Sequence, residues 1–371
     1  MGEGSCFDET TLPGLHFLVA QRRLAAKLRH LMKVLFIGGT GNISEACALL
    51  LAEGGHQVTV VTRGQTPVPP DYQQLRADRR KLKQMQTALR GLDLEIVVNF
   101  LGFDIPDLEV DYAILKDRVR QYVFISSATV YAKPPPRLPI TEDGPFGNPW
   151  WDYAEKKLAC ERWLQEKARA TGFPITIVRP SHTYSRRWIP NPISSSSYTF
   201  AKRFEQGRPV YIHDDGQTPW TLTHTSDFAI GLIGLLGNEA AIGESFHITG
   251  DEVHTWSQIY AEIASALGVE LPEVVKVPTD FICNVAPEFT GTLKGDKAHP
   301  GVFDNSRIKE VVPEFRTRKG LPEGLRESVD WLRRHPEHQN LKPELDQVID
   351  RVIKAWKAAE LKLGRPDGPT P

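Results

Sequence analysis

Tyr153 and Lys157 stand at i and i+4 in the segment WWDYAEKKLACE, the spacing that puts two side chains on one face of a helix. An ammonium beside a phenol favours the phenolate, so the lysine is expected to lower the pKa of Tyr153. The tyrosine can then exchange a proton with a substrate hydroxyl near neutral pH. A Tyr-x-x-x-Lys pair alone is common by chance, and its members can simply pack or face solvent. It gains meaning from Ser126 and Ser127, which end the apolar run QYVFISS. That is where an open α/β sheet presents its carboxyl edge to ligands.

A second group could hold a dinucleotide. Gly38-Gly39-Thr40-Gly41-Asn42-Ile43-Ser44 lies between an apolar run and a helical period. Gly38 and Gly41 permit a tight turn and close approach of a pyrophosphate, and the helix start offers free N–H groups and a positive dipole end. Thr40, Asn42 and Ile43 complete the loop. Ser44 stands where a third glycine would let helix and strand pack closely, and serine is also small. Arg63 ends the second strand. An acidic residue there would bind the ribose hydroxyls of NAD, whereas arginine can pair with the 2′-phosphate of NADP. NADP is therefore favoured over NAD, the alternative being a solvated arginine in a turn. Asp78, after the third strand, either bonds the adenine amino group or caps the next helix.

The elements that must position these groups are readable as an α/β fold. The runs KVLFIGG, QVTVVT, LEIVVNF, QYVFISS and PITIVRP read as buried strands. Helical periods between them cover 81–89, 108–117 and 151–170. This predicts a Rossmann-like doubly wound parallel sheet over 32–180, with segments near 220–250 and 300–312 returning to it. A smaller C-terminal substrate-binding α/β subdomain takes 181–219 and 251–340. Residues 190–197, with Pro190, Pro192 and four serines, read as a mobile or insertion-like stretch. Thr255 and Gln258 have capping-box spacing ahead of a helix that Gly268 closes. Residues 341–371 form an amphipathic helix and tail, and 1–31 an N-terminal appendage outside the chemistry.

With 371 residues and a formal net charge of −1, the chain has no global field to draw it to nucleic acid or anionic lipid. No apolar run approaches the roughly 20 residues of a membrane span. Cys6, Cys47, Cys160 and Cys283 form no CxxC pair, so neither a disulfide framework nor a metal site is expected, and a cytoplasmic location fits.

The stretches SSATVY, WWDYAEKKLACE, IVRPSHTY and HTSDFAIGL, in this order after the glycine loop, resemble the extended short-chain dehydrogenase/reductases, and among them the UDP-galactose epimerase branch of the NAD-dependent epimerase/dehydratase family. The likeness spans roughly 33–235 and continues more weakly to about 331. It implies that Ser127 bonds the reacting oxygen, Tyr153 is the acid/base, and Lys157 holds the ribose and tunes Tyr153. Asn99, Leu101 and Pro180 would lie beside the cofactor. Thr129 and His182 would fall on the substrate side.

The resemblance also implies redox chemistry at a carbinol carbon of a sugar-like substrate, as epimerase or dehydrogenase. Ala128 and Thr129 stand where dehydratases carry an acid/base pair, which disfavours that outcome. A homodimer through two long helices is a family expectation. Sugar-nucleotide members usually place a diphosphate-binding arginine where this chain has Trp220, which can stack on a sugar ring or serve the core. Arg186, Arg187 or Arg208 could replace the missing charge. The rival reading is a dinucleotide-binding protein that binds RNA or regulates without turnover, as some chloroplast relatives with a similar glycine loop do.

Overall fold

The computed structural model describes residues 31–362. The appendage reading of 1–31 thus falls, Leu31 apart, outside the described residues, as does the tail beyond Lys362. Seven strands form one parallel sheet in the order β3-β2-β1-β4-β5-β6-β10. They are β1 (Lys33–Ile37), β2 (Gln57–Thr62), β3 (Gln73–Arg76), β4 (Ile96–Asn99), β5 (Gln121–Ile125), β6 (Ile175–Pro180) and β10 (Ser245–Ile248). Parallel strands covered on both faces need near-continuous apolar runs, which KVLFI, IVVN and ITIVRP supply. The exception is β3, QQLR, a half-exposed edge strand whose composition carries no strand pattern.

Helices α1 (Asn42–Glu53) and α6 (Thr225–Leu235) pack on one face of the sheet, joined by Ile308 of α9 (Ser306–Val311). On the other face lie α2 (Leu82–Ala88), α3 (Ile105–Leu115) and α4 (Asp152–Thr171). The strand order reverses between β1 and β4, so the carboxyl edge opens a crevice there, beneath the glycine loop.

A third apolar cluster gathers the remaining elements. It includes α5 (Thr199–Glu205), β8 (Val210–His213), α7 (Trp256–Leu267), β12 (Val274–Val277), α8 (Thr279–Val285), α10 (Leu321–Arg334) and α11 (Pro343–Lys362). In a small sheet β9 (Pro219–His224) pairs parallel with β7 (His182–Tyr184) and antiparallel with β11 (Val253–Thr255), while β8 pairs with β12. The expected capping box forms at α7: Thr255 Oγ1 accepts from Gln258 N at 3.2 Å and Thr255 N donates to Gln258 Oε1 at 2.8 Å. Among the described residues no helix is long and apolar enough to cross a membrane.

The 190–197 stretch departs from expectation. Pro190 to Ile193 and Ser197 are buried, and Asn191 Oδ1 accepts from the backbone N–H groups of Ile193 and Ser194. This asparagine turn ties the serine run inward, where it walls the cavity described below, rather than leaving it an external insertion.

Candidate active site

The glycine loop has the geometry a pyrophosphate needs. Gly38 and Gly39 adopt φ +109° and +114°, which side chains disfavour, and a Cβ on Gly39 would lie 2.7 Å from Val60. Gly41 N-caps α1, its N–H donating to Ser44 Oγ at 2.9 Å. Ser44 is buried, so it both packs as a small residue and closes the turn. Thr40 and Ile43 are part of the same strand-to-helix turn. Asn42 departs from a purely ligand-facing role: its amide accepts from Ser185 Oγ at 2.5 Å and reaches Thr183 Oγ1 at 3.4 Å. It therefore ties the loop to the segment beyond Pro180.

The loop after β4 is held from three directions. Asn99 is fully buried and donates to Asp111 and to the Tyr122 hydroxyl, while its Oδ1 accepts from Leu101 N at 2.7 Å. Arg79, paired with Asp107 and Asp111, donates to Leu101 O at 2.8 Å. Asn99 is thus a positioning residue for Leu101, which itself stands against Gly38. Lys157 completes the clamp by donating to Gly102 O and Ile125 O, both at 2.7 Å. Asp78 accepts from Arg80 N within its own turn, and Lys81 rather than Asp78 is the N-cap of α2.

Ser127 and Tyr153 meet at the carboxyl edge, on one cavity of about 330 Å³. Ser127 Oγ accepts from Thr129 N at 3.2 Å and Thr129 Oγ1 at 3.0 Å, which leaves its own proton free to point at a reacting oxygen. Thr129 is buried and serves Ser127 directly. Asn148, which carried no sequence signal, donates to Thr129 O at 2.8 Å and Gly295 O at 2.6 Å and so fixes this corner.

The expected lowering of the tyrosine pKa is reversed here. Burial pushes the Tyr153 phenol up to about 12; the hydrogen bond with Ser127 pulls the other way, and the Asp296 carboxylate adds to the rise. Lys157 sits 5.8 Å from the Tyr153 ring centre, and burial pushes it down to about 8. Desolvation therefore outweighs the through-space attraction that i, i+4 spacing suggests.

Other expectations also need correcting. Trp220 is 1% exposed, with its indole N–H shared between Lys297 O and His299 O, so it is a core residue with one face on the cavity rather than a free stacking platform. Arg186 and Arg187 pair with Glu45 on α1, and Arg208 pairs with Asp346 and Asp350. None of the three lines the cavity. Arg179, before Pro180, sits in a buried pair with Glu161 and does not line the cavity, whereas Pro180 does. Within HTSDFAIGL, His224 caps α6, its Nδ1 accepting from Ser226 N, while Asp227 accepts from the N–H groups of Arg318 and Lys319.

His182 does line the cavity. Its Nε2 meets Ser195 Oγ at 2.8 Å, and burial lowers its pKa to about 3, so the ring is neutral. Arg63 is exposed beside the end of β3, where Arg76, a residue the sequence reading passed over, lies across Gly64.

Comparison with known proteins agrees with this fold. Residues 107–249 match the model of the NAD dependent epimerase/dehydratase family. A chloroplast stem-loop binding protein of 41 kDa from Arabidopsis thaliana is 29% identical over 88% of this chain and 85% of its own length. The 2′-dehydrokanamycin reductase of Streptomyces kanamyceticus is 25% identical over 81% of this chain and 84% of its own. In fold, the UDP-glucose 4-epimerase of Thermotoga maritima superposes with a TM-score of 0.69 at 19% identity, covering 82% of this chain and all, 100%, of that one. Residues 107–249 are thus similar to the NAD dependent epimerase/dehydratase family, and the Rossmann-like sheet has the fold of a UDP-glucose 4-epimerase.

Proposed function

We propose that this protein is an NAD(P)-dependent oxidoreductase or epimerase acting at a carbinol carbon of a sugar or sugar-like substrate. The observation that carries this reading is the meeting of Ser127 and Tyr153 on one cavity, with Lys157 behind them and the glycine loop on the same sheet edge. A bound dinucleotide would supply the hydride acceptor or donor. Gly38, Thr40, Gly41, Asn42 and Ile43 would hold its pyrophosphate against the start of α1. Tyr153 Oη would take the proton from the substrate hydroxyl, or return it to the carbonyl. Ser127 Oγ would donate to the same oxygen, and the Lys157 ammonium would face the ribose and support charge on the phenol.

Mass spectrometry of the small molecules released on denaturing fresh protein tests this first. Retained dinucleotide supports a recycling enzyme such as an epimerase, and weak exchangeable binding supports a dehydrogenase. A protein that takes up neither NAD nor NADP overturns the reading.

NADP is the cofactor we favour. Arg76 ends β3 opposite Thr62, the last residue of β2, and Arg63 follows Thr62; among the described residues neither arginine forms an ion pair. Both can reach one 2′-phosphate. The double variant Arg63→Ala/Arg76→Ala is expected to lose NADP affinity by on the order of tenfold to a hundredfold, with NAD affinity unchanged. Calorimetric titration with the two cofactors checks this, and equal losses for both would remove the 2′-phosphate assignment.

The relative named as a stem-loop binding protein supports a second reading, a dinucleotide-binding protein that binds RNA or regulates without turnover. A formal net charge of −1 gives that reading no general electrostatic help. Retention of an RNA stem-loop at 0.15 M salt, with no cofactor turnover to lose in Tyr153→Phe, would favour it.

A further inference from the structure

The wall of the cavity carries a buried charge cluster that the proposed chemistry does not use. Asp296 Oδ2 receives Lys297 Nζ at 2.5 Å, and its Oδ1 receives Lys133 Nζ at 3.5 Å. The side chains are 8%, 11% and 0% exposed, and among the described residues neither lysine forms an ion pair with another carboxylate. Two ammoniums on one carboxylate leave one net positive charge in a largely buried wall. Asp296 and Lys297 both face the cavity. The neighbouring His182 offers no counter-charge, and its Nδ1 is buried without a partner.

The cluster is also rigidly placed. Lys297 ends a single π-helical turn, Leu293–Lys297, and its carbonyl accepts from three ring N–H groups: Trp220 at 3.1 Å, Trp256 at 3.2 Å and His213 at 3.0 Å. Its ammonium lies 5.6 Å from the Trp220 ring centre and 5.9 Å from that of Trp151. Glycines 291, 295 and 301 allow this segment to touch the two tryptophans, since a Cβ on Gly291 would meet the Trp151 ring and one on Gly301 the Trp220 ring. A net buried charge is costly unless something completes it, and a preorganised ammonium at a cavity wall is what an anionic ligand group requires.

Resting on the reading of this cavity as the substrate site, we propose that the substrate is a monosaccharide-sized polyol bearing one anionic group, a carboxylate or a phosphate. Lys297 receives that group, with Asp296 orienting the ammonium and Lys133 supplying the surplus charge. The volume of about 330 Å³ stands at the small end of ligand pockets and fits one sugar ring better than a sugar nucleotide.

Calorimetric titration of the dinucleotide-saturated protein with D-glucose, D-glucuronate, D-glucose 6-phosphate and UDP-glucose tests this. At least one of the two small anions is expected to bind on the order of tenfold or more tighter than glucose, and which one does so separates carboxylate from phosphate recognition. Lys297→Met should abolish that preference, Lys297→Arg should keep most of it, and Asp296→Asn should increase it. Melting temperature and dinucleotide affinity report whether each variant folds, and the discrimination by the unmodified protein stands without them. Equal affinity for glucose and both anions, no binding of either anion, or tighter binding of UDP-glucose than of both overturns the proposal. A protein that takes up no dinucleotide overturns the functional reading instead, so the two failures are distinguishable.

Discussion

Replacing Tyr153 with phenylalanine is expected to lower turnover by about a thousandfold, the scale of a positioned acid/base, while dinucleotide affinity and melting temperature stay near those of the parent. The ring is half-buried between Trp151, at 5.1 Å, and Phe103, at 6.5 Å, and phenylalanine keeps both contacts. Only the hydroxyl is lost. The measurement is the formation of reduced nicotinamide when dinucleotide-loaded protein meets a sugar acid or sugar phosphate. Unchanged turnover would sink the assignment of Tyr153 as acid/base and favour the non-enzymatic reading.

The same geometry gives the pH dependence a direction. A phenol held up at about 12 keeps its proton through the neutral range, so it is ready to donate when a carbonyl is reduced. In the oxidative direction it must first lose that proton, which rising pH favours. The Lys157 ammonium that supports the phenolate is itself lost near pH 8. The oxidative rate of the parent protein should therefore climb with pH and break near 8. A Lys157→Met variant should be slow throughout and lack the break.

The parts of this molecule that were legible in its sequence are those whose physics is local. Apolar runs ending in Gly38 or Ser127 mark strands and their carboxyl edge, and Thr255 with Gln258 marks a helix start, because a few adjacent residues suffice to decide each. A third strand ahead of Asp78 was expected, yet no apolar run marks the edge strand β3 in that way. Gln73–Arg76 is paired through backbone groups to β2, and its side chains do not announce it. The pKa of Tyr153 was misread because helical spacing reports proximity and not desolvation, and here desolvation is larger. Trp220 is core because Gly301, far along the chain, lets its ring be covered. The pairing of Lys133 with Asp296 joins positions 163 apart and has no sequence signature at all.

The largest stability loss is expected away from the chemistry, at Glu161. Glu161 follows Lys157 by one helical turn on α4, and so belongs to the helix that carries Tyr153. Its carboxylate takes Arg179 Nε at 3.0 Å and Nη2 at 2.8 Å, a two-pronged pair with both side chains 2% exposed. The remaining nitrogen of Arg179 donates to the Tyr131 hydroxyl at 2.7 Å and to Glu142 O at 2.9 Å, and Tyr131 in turn meets His247 Nε2 at 2.6 Å. The network therefore staples α4 to β6 and to β10. Glu161→Ala strips a buried guanidinium of its counter-ion and should cost about 3–5 kcal/mol, read as a lower denaturant midpoint with an unchanged slope. Arg179→Met alone should also be costly, whereas the double variant Glu161→Met/Arg179→Met should recover most of the loss, because an apolar pair of similar volume removes both charges together. The coupling energy from that cycle is the decisive quantity. A value near zero would mean that water reaches Arg179 and that the placement of Tyr153 depends on the clamp at Gly102 and Ile125 alone.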